Sequence, residues 1–195
     1  MKLAIMLVIL VIFIAGCSTI KTTHTISGTQ ELVLNAQDLQ QLGMTSGGNE
    51  QDLQQLEITS DGSYCRTEEY ATNDHAPLAQ YSICSYTINS VNDTQVVLEL
   101  KKFTNFEDLN GTYQYESQHL RSVQGLISQN DFGDQSRFYL NNVNDFGGSL
   151  TDPSISYYAL YITKDGYLIY ITSKGSKEAK EYIAKIGHLI LSKFG

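Results

Sequence analysis

The chain has no tryptophan, only two prolines and three cysteines in 195 residues, and 13 Lys and Arg against 21 Asp and Glu. Each shortage excludes something. A formal charge of −8 gives no electrostatic footing for nucleic acid or for anionic headgroups. Pro77 and Pro153 are the only backbone breakers, so most of the chain is free to form regular structure. The histidines are scattered, and there is no CxxC pair, so no metal-ligating cluster is legible. His24 reads as solvated; His75, beside Asp74, and His119 stand isolated. GxSxG, Walker loop, HExxH, SxxK and GxGxxG are all missing. No cofactor, no metal and no enzymatic activity are therefore expected. Carboxylates are plentiful, so a glycosidase-type pair remains the last-ranked alternative.

What the chain does have is one long hydrophobic run. Lys2 supplies a positive start, and residues 3 to 15 are uninterrupted hydrophobics. This is the length of a signal-peptide core and is short of the ~20 residues a spanning helix needs. Ile14-Ala15-Gly16-Cys17 then precedes a polar stretch. That tetrad resembles the lipobox of prokaryotic lipoproteins, which implies diacylglycerol on the Cys17 thiol and cleavage before it. The alternative is an uncleaved N-terminal anchor. Both place the remainder outside the cytoplasm, on the outer face of the cytoplasmic membrane or on an outer membrane if the host has one. The expected division is a signal peptide at 1–16, lipidated Cys17 with a Ser/Thr-rich tether to residue 30, and one domain at 31–195.

Cysteine arithmetic agrees with export. Once Cys17 is assigned to lipid, Cys65 and Cys84 remain as an even pair. In an oxidising compartment that pair is expected to form a disulfide; the alternative is two buried thiols. Asn92-Asp93-Thr94 and Asn110-Gly111-Thr112 match the N-glycosylation acceptor.

Along the chain, Glu31 to Leu34 is a short apolar run, followed by Asn35 as an N-cap with Asp38 at the third helical position. Ala36, Leu39 and Leu42 recur at helical spacing, and Gly43 is placed as a C-cap. Gln37–Gly48 is nearly repeated at Gln51–Gly62, with nine of twelve positions matching at a period of 14. Two copies do not make a solenoid; they read as a local duplication, with a paired binding element as the alternative. Strands are expected at Tyr64–Tyr70, Gln80–Asn89 and Gln95–Phe103, with Cys84, Tyr86 and Ile88 on one face. Thr104-x-x-Glu107 has the form of a capping box. The helix after it, to Leu120, would bury Phe106, Leu109, Tyr113 and Leu120.

The segment 121–156 is hard to read beyond a strand over Ser136–Asn141. Asn130-Asp131-Phe132-Gly133 and Asn144-Asp145-Phe146-Gly147 read as glycine turns with a buried Phe. Read from Asn142, the second fails as a calcium loop, because Phe146 stands at the third ligand position and no Glu at the twelfth. Asp165-Gly166 between two β-rich runs is a hairpin signal. It pairs Ile162 with Ile169, Leu160 with Ile171, and Tyr161 with Tyr170 on the opposite face. A last helix, from about Lys177 to Phe194, carries the stripe Ala179, Ile183, Ile186, Ile190 and Phe194. Its Gly187 costs about 1 kcal/mol there, which implies close approach to the sheet. The fold class is α+β: a mainly antiparallel sheet, this amphipathic helix packed on it, and one or two further short helices.

The order of features resembles a family type. LVLNAQDLQQLGM, VVLELKKFTNFEDLNGTYQY, FGDQSRF and YALYITKDGYLIYITS with AKEYIAKIGHLIL are similar to segments of small exported lipoproteins and kinase extracellular sensor domains in actinobacteria. The layout is also similar to the PsbP-like sandwich. The resemblance implies a non-catalytic extracytoplasmic domain and transfers no functional residues. The leading expectation is a sensor-like lipoprotein that binds a small ligand or an envelope protein and is attached to the membrane through Cys17. A structural or assembly lipoprotein is the rival. Tyr161, Thr163 and Tyr170 are the candidate ligand-binding residues, with packing beneath a second helix layer as their alternative role.

Overall fold

The computed structural model describes residues 25–46, 57–58, 64–70, 77–91, 94–118, 125–140, 152 and 154–195. Cys17, His24, His75, Asn92, His119, Leu120 and the second Asn-Asp-Phe-Gly segment lie outside these residues.

The chain opens on a 3-10 turn, Thr29–Leu32. Helix α1 then spans Ala36–Leu42. The Asn35 side chain accepts the backbone N–H of Gln37 and Asp38, and Asp38 accepts the Asn35 N–H in return. That reciprocal arrangement satisfies donors a helix start leaves orphaned. Gly43 ends the helix at φ +64°, the left-handed turn expected of it.

The strands are β1 Met44–Ser46, β2 Glu57–Ile58, β3 Tyr64–Glu69, β4 Leu78–Ile88, β5 Thr94–Phe103, β6 Leu126–Gln129, β7 Gln135–Leu140, β8 Ser156–Lys164 and β9 Tyr167–Gly175. Helix α2, Phe106–Gln118, lies between β5 and β6, and helix α3, Ala179–Ser192, follows β9. The sheet order is β2-β3-β4-β5-β9-β8-β7-β6, with β1 also pairing β4. The pairs are antiparallel throughout. The β8–β9 hairpin has the expected register, Ile162 with Ile169, Leu160 with Ile171 and Tyr161 with Tyr170. Asp165 and Gly166 both take positive φ, 47° and 86°, as a two-residue turn matched to strand twist requires.

The sheet has two unlike faces. On the first, Cys84, Tyr86, Ile88, Val96, Leu98, Leu100, Leu160, Ile162, Ile169 and Ile171 meet Leu32, Leu34, α1 and the apolar stripe of α3. Ala179, Ile183, Ile186 and Ile190 are fully buried. A Cβ on Gly187 would stand 3.0 Å from Leu160 Cδ2 and 3.2 Å from Ile162 Cδ1, so the glycine is where α3 comes closest to β8. Phe132 is buried, with Gly133 at φ +56°, and its ring packs 4.7 Å from His188 between centroids. On the second face a smaller cluster joins Phe103, Leu168, Ala159, Tyr161 and Tyr139 to Leu109 and Tyr113 of α2.

Three expectations are corrected. The cap of α2 is not Thr104 with Glu107 but Asn105 with Asp108: Asn105 Oδ1 accepts the Asp108 N–H at 2.9 Å, and its Nδ2 donates to the Asp108 carboxylate. Thr104 instead donates its hydroxyl to the Pro77 carbonyl at 3.3 Å. Leu109, Tyr113 and Ser117 face the sheet, while Phe106, the first residue of the helix, is 68% exposed and not buried with them. Finally, residues 25–30 are packed, not tether-like. Tyr167 Oη donates to the Ile26 carbonyl at 3.2 Å, and Lys102 Nζ donates to the Ser27 carbonyl at 2.6 Å. The Thr29 N–H donates to Gln80 Oε1 at 2.6 Å, and Thr29 and Ser82 share a 2.7 Å hydroxyl contact.

Candidate functional site

Of the residues singled out from sequence, Cys65 and Cys84 are joined in a disulfide. They are register partners on β3 and β4, so the bond locks the strand near the sheet edge to the interior. Tyr161 and Thr163 are 3% and 2% exposed. Helix α2 covers Tyr161, because its Leu109–Tyr113–Ser117 stripe needs an apolar partner and finds Tyr161, Leu168 and Phe103. These two residues are therefore core and not an open platform, as the packing alternative held. Tyr170 stacks on Tyr161 at 4.3 Å between ring centroids and stays half-buried at the margin of α2. Asn110 lies on α2 at intermediate exposure and accepts from Gln135 Nε2 at 3.4 Å.

Beyond α2 the second face continues over β3, β4 and β5. Strand alternation places Arg66 and Glu68, Tyr81 and Ile83, and Glu99 and Lys101 on it. Cross-strand pairing sets Arg66 beside Ile83, Ile83 beside Glu99, and Glu99 beside Tyr170. The next row holds Glu68, Tyr81, Lys101 and Leu168. The strip carries both charge signs and is partly open, with the Arg66 and Glu68 side chains 39% and 40% exposed.

Its chemistry is set by Glu99. Tyr81 donates to Glu99 Oε2 at 3.3 Å. Burial raises the Glu99 pKa above the ordinary glutamate range; Lys101 and the Tyr81 hydrogen bond oppose this, and Glu116 reinforces it. Burial and the Glu99 charge together push the Tyr81 phenol well above its usual range. Lys101 bridges to Glu116 of α2 at 2.5 Å, closing the wall of the strip. Away from the strip, over β7, Arg137 donates to Ser117 Oγ of α2 at 2.9 Å, and Tyr139 donates to the Ser117 carbonyl at 3.0 Å. At the outer edge Arg66 Nε lies 3.1 Å from Glu68 Oε1, and Tyr70 donates to Glu68 Oε2 at 2.6 Å.

The sequence reading missed this strip. In sequence, Glu99 and Lys101 only alternate with Val96, Leu98 and Leu100, and nothing in β5 alone shows that α2 returns over that side. The available signal was the Leu109–Tyr113 spacing, which demands a second apolar surface. The strip presents fixed hydrogen-bonding groups of both signs beside an aromatic edge, which suits recognition of a polar ligand. Among the described residues no group of His, Cys, Asp and Glu is arranged to hold a metal ion, and no helix is long and apolar enough to cross a membrane.

No family model and no curated protein matches the chain. The fold is similar to that of the extracellular domain of PknH from Mycobacterium tuberculosis, with a TM-score of 0.51 over 88% of this chain and 98% of that one. The two are 10% identical, so the likeness is one of fold.

Proposed function

We propose that this protein is a non-catalytic extracytoplasmic binding domain, anchored to a membrane by diacylglycerol on Cys17. It holds a polar ligand or an envelope partner on the strip formed by Arg66, Glu68, Tyr81, Glu99 and Lys101, with Tyr170 at its inner margin. The observation that carries this reading is the half of the second face that no described residue covers, where partly exposed charged groups of both signs are held by hydrogen bonds and ion pairs. The fold's likeness to a kinase extracellular domain supports an extracytoplasmic role. The anchor rests on the Leu3–Cys17 segment.

Photo-crosslinking in intact cells tests the site. A photoreactive residue at position 66 or 68 should form an adduct that Glu99→Gln weakens, whereas one at the exposed Lys180 of α3 should not. Adducts from position 180 alone would overturn the assignment. A stoichiometric protein adduct would favour the assembly reading over a small ligand. Labelling with tritiated palmitate tests the anchor, and label retained in Cys17→Ser would sink it.

A further inference from the structure

Residues 26–29 form a strap across one end of the sheet. Its attachment points are Tyr167 on β9, Lys102 on β5 and Gln80 on β4. Tyr167 pairs with Lys102, and Lys102 with Gln80, so the strap crosses a single row at the end that carries the Asp165-Gly166 turn. Gly28 fits the crossing because a Cβ there would sit 2.8 Å from Gln80 Oε1. The start of α2 lies at the same end, since Phe103 donates its N–H to the Gly166 carbonyl at 3.0 Å. The opposite end carries Gly175 and the start of α3.

This position limits where an anchor can hold the domain. Only residues 18–24 separate Cys17 from Thr25. Eight chain steps span at most about 27 Å in any conformation. The nine residues of β9 carry the sheet about 27 Å away from the strap. The far end could therefore meet the bilayer only with the connecting residues pulled straight, which costs entropy at every residue. Charge does not drive the near end's approach: Lys164 is shared between Asp134 at 3.2 Å and Asp165 at 3.5 Å, and Glu107 and Asp108 stand in the first turn of α2. Phe106, 68% exposed, is a large apolar side chain at that end.

We infer that the end bearing the strap, the Asp165-Gly166 turn and Phe106 is the membrane-facing surface, and that its occupant is the lipid interface. The inference rests on the lipidated-Cys17 reading above. It leaves the Glu99 strip on the flank of the domain, running away from the bilayer.

The test uses the full lipidated protein in phosphatidylcholine vesicles containing nitroxide-headgroup lipid. With Cys17 in thioether linkage and Cys65 bonded to Cys84, an added cysteine is the reactive thiol for a fluorophore. The label on Phe106→Cys should be quenched severalfold more than the label on Lys177→Cys, which sits at the far end. Equal quenching, or stronger quenching at position 177, in a protein shown by intact mass to be lipidated would overturn the orientation alone. A lipid-free Cys17 with no flotation of the protein would overturn the anchor, and the orientation with it.

Discussion

The two faces of the sheet have been built to different ends. The first is aliphatic, closed by α1, α3 and the strap, and its facing side chains are almost without exposure. The second is half covered by one helix of weak amphipathicity and finishes in tyrosines and paired charges. Closure provides stability because apolar area leaves water. Incomplete closure keeps polar groups ordered yet reachable, as recognition requires. The polar strip also sits over the strands that the disulfide joins, so its geometry is held by the sheet and not by a loop.

Substitutions can break this contrast. Ile186→Ala on the closed face should destabilise by about 2–5 kcal/mol, while Phe106→Ala on the open side should stay within about 0.5 kcal/mol; urea unfolding of both variants checks the difference. Replacing both Cys65 and Cys84 with Ala should cost roughly 3 kcal/mol by releasing the loop they close, and β3 should show the largest gain in amide exchange. Asn35→Ala and Asn105→Ala should each cost about 1 kcal/mol as lost caps, and Thr104→Ala clearly less, by thermal denaturation.

The smallest effect concerns pH. Because the Glu99 pKa is raised on folding, the folded chain keeps a proton that the unfolded chain releases. Stability from this group therefore falls as pH rises from the ordinary glutamate range through the raised value. Glu99→Gln should flatten that slope and stabilise the protein at neutral pH. A steeper slope in the variant would contradict the assignment of Glu99 as a buried carboxylate.

Much of the closed face could be read in the sequence, because its elements are specified locally. The α1 cap depends on Asn35 and Asp38, the hairpin on Asp165-Gly166, and the α3 stripe on spacing within α3. The open face could not be read so well, because its determinants are distant in the chain. Thr104 and Asn105 both offer a caps-type side chain; the Thr104 hydroxyl is engaged by the Pro77 carbonyl, and Asn105 caps the helix one residue later. Residues 25–30 look polar and featureless, and their order comes from Tyr167, Lys102 and Gln80. Strand β6 carries no alternation of its own and is held by pairing with β7. The Glu99 strip was hidden for the same reason.

The strand order also bears on how the chain finds its structure. Strands β3 to β5 form one meander and β6 to β9 another, and they meet only where β5 pairs with β9. Within each meander neighbours in the sheet are neighbours in sequence, so their loops close at small entropic cost. The middle of the finished sheet joins the segments farthest apart along the chain, and contacts of that kind form slowly. The β8–β9 hairpin should therefore gain amide protection before the β5–β9 ladder in pulse-labelled refolding. Simultaneous protection would mean that the two halves do not assemble separately. On this account the last seam to close runs between Glu99 and Tyr170, and the Glu99 strip comes into being only when the fold is complete.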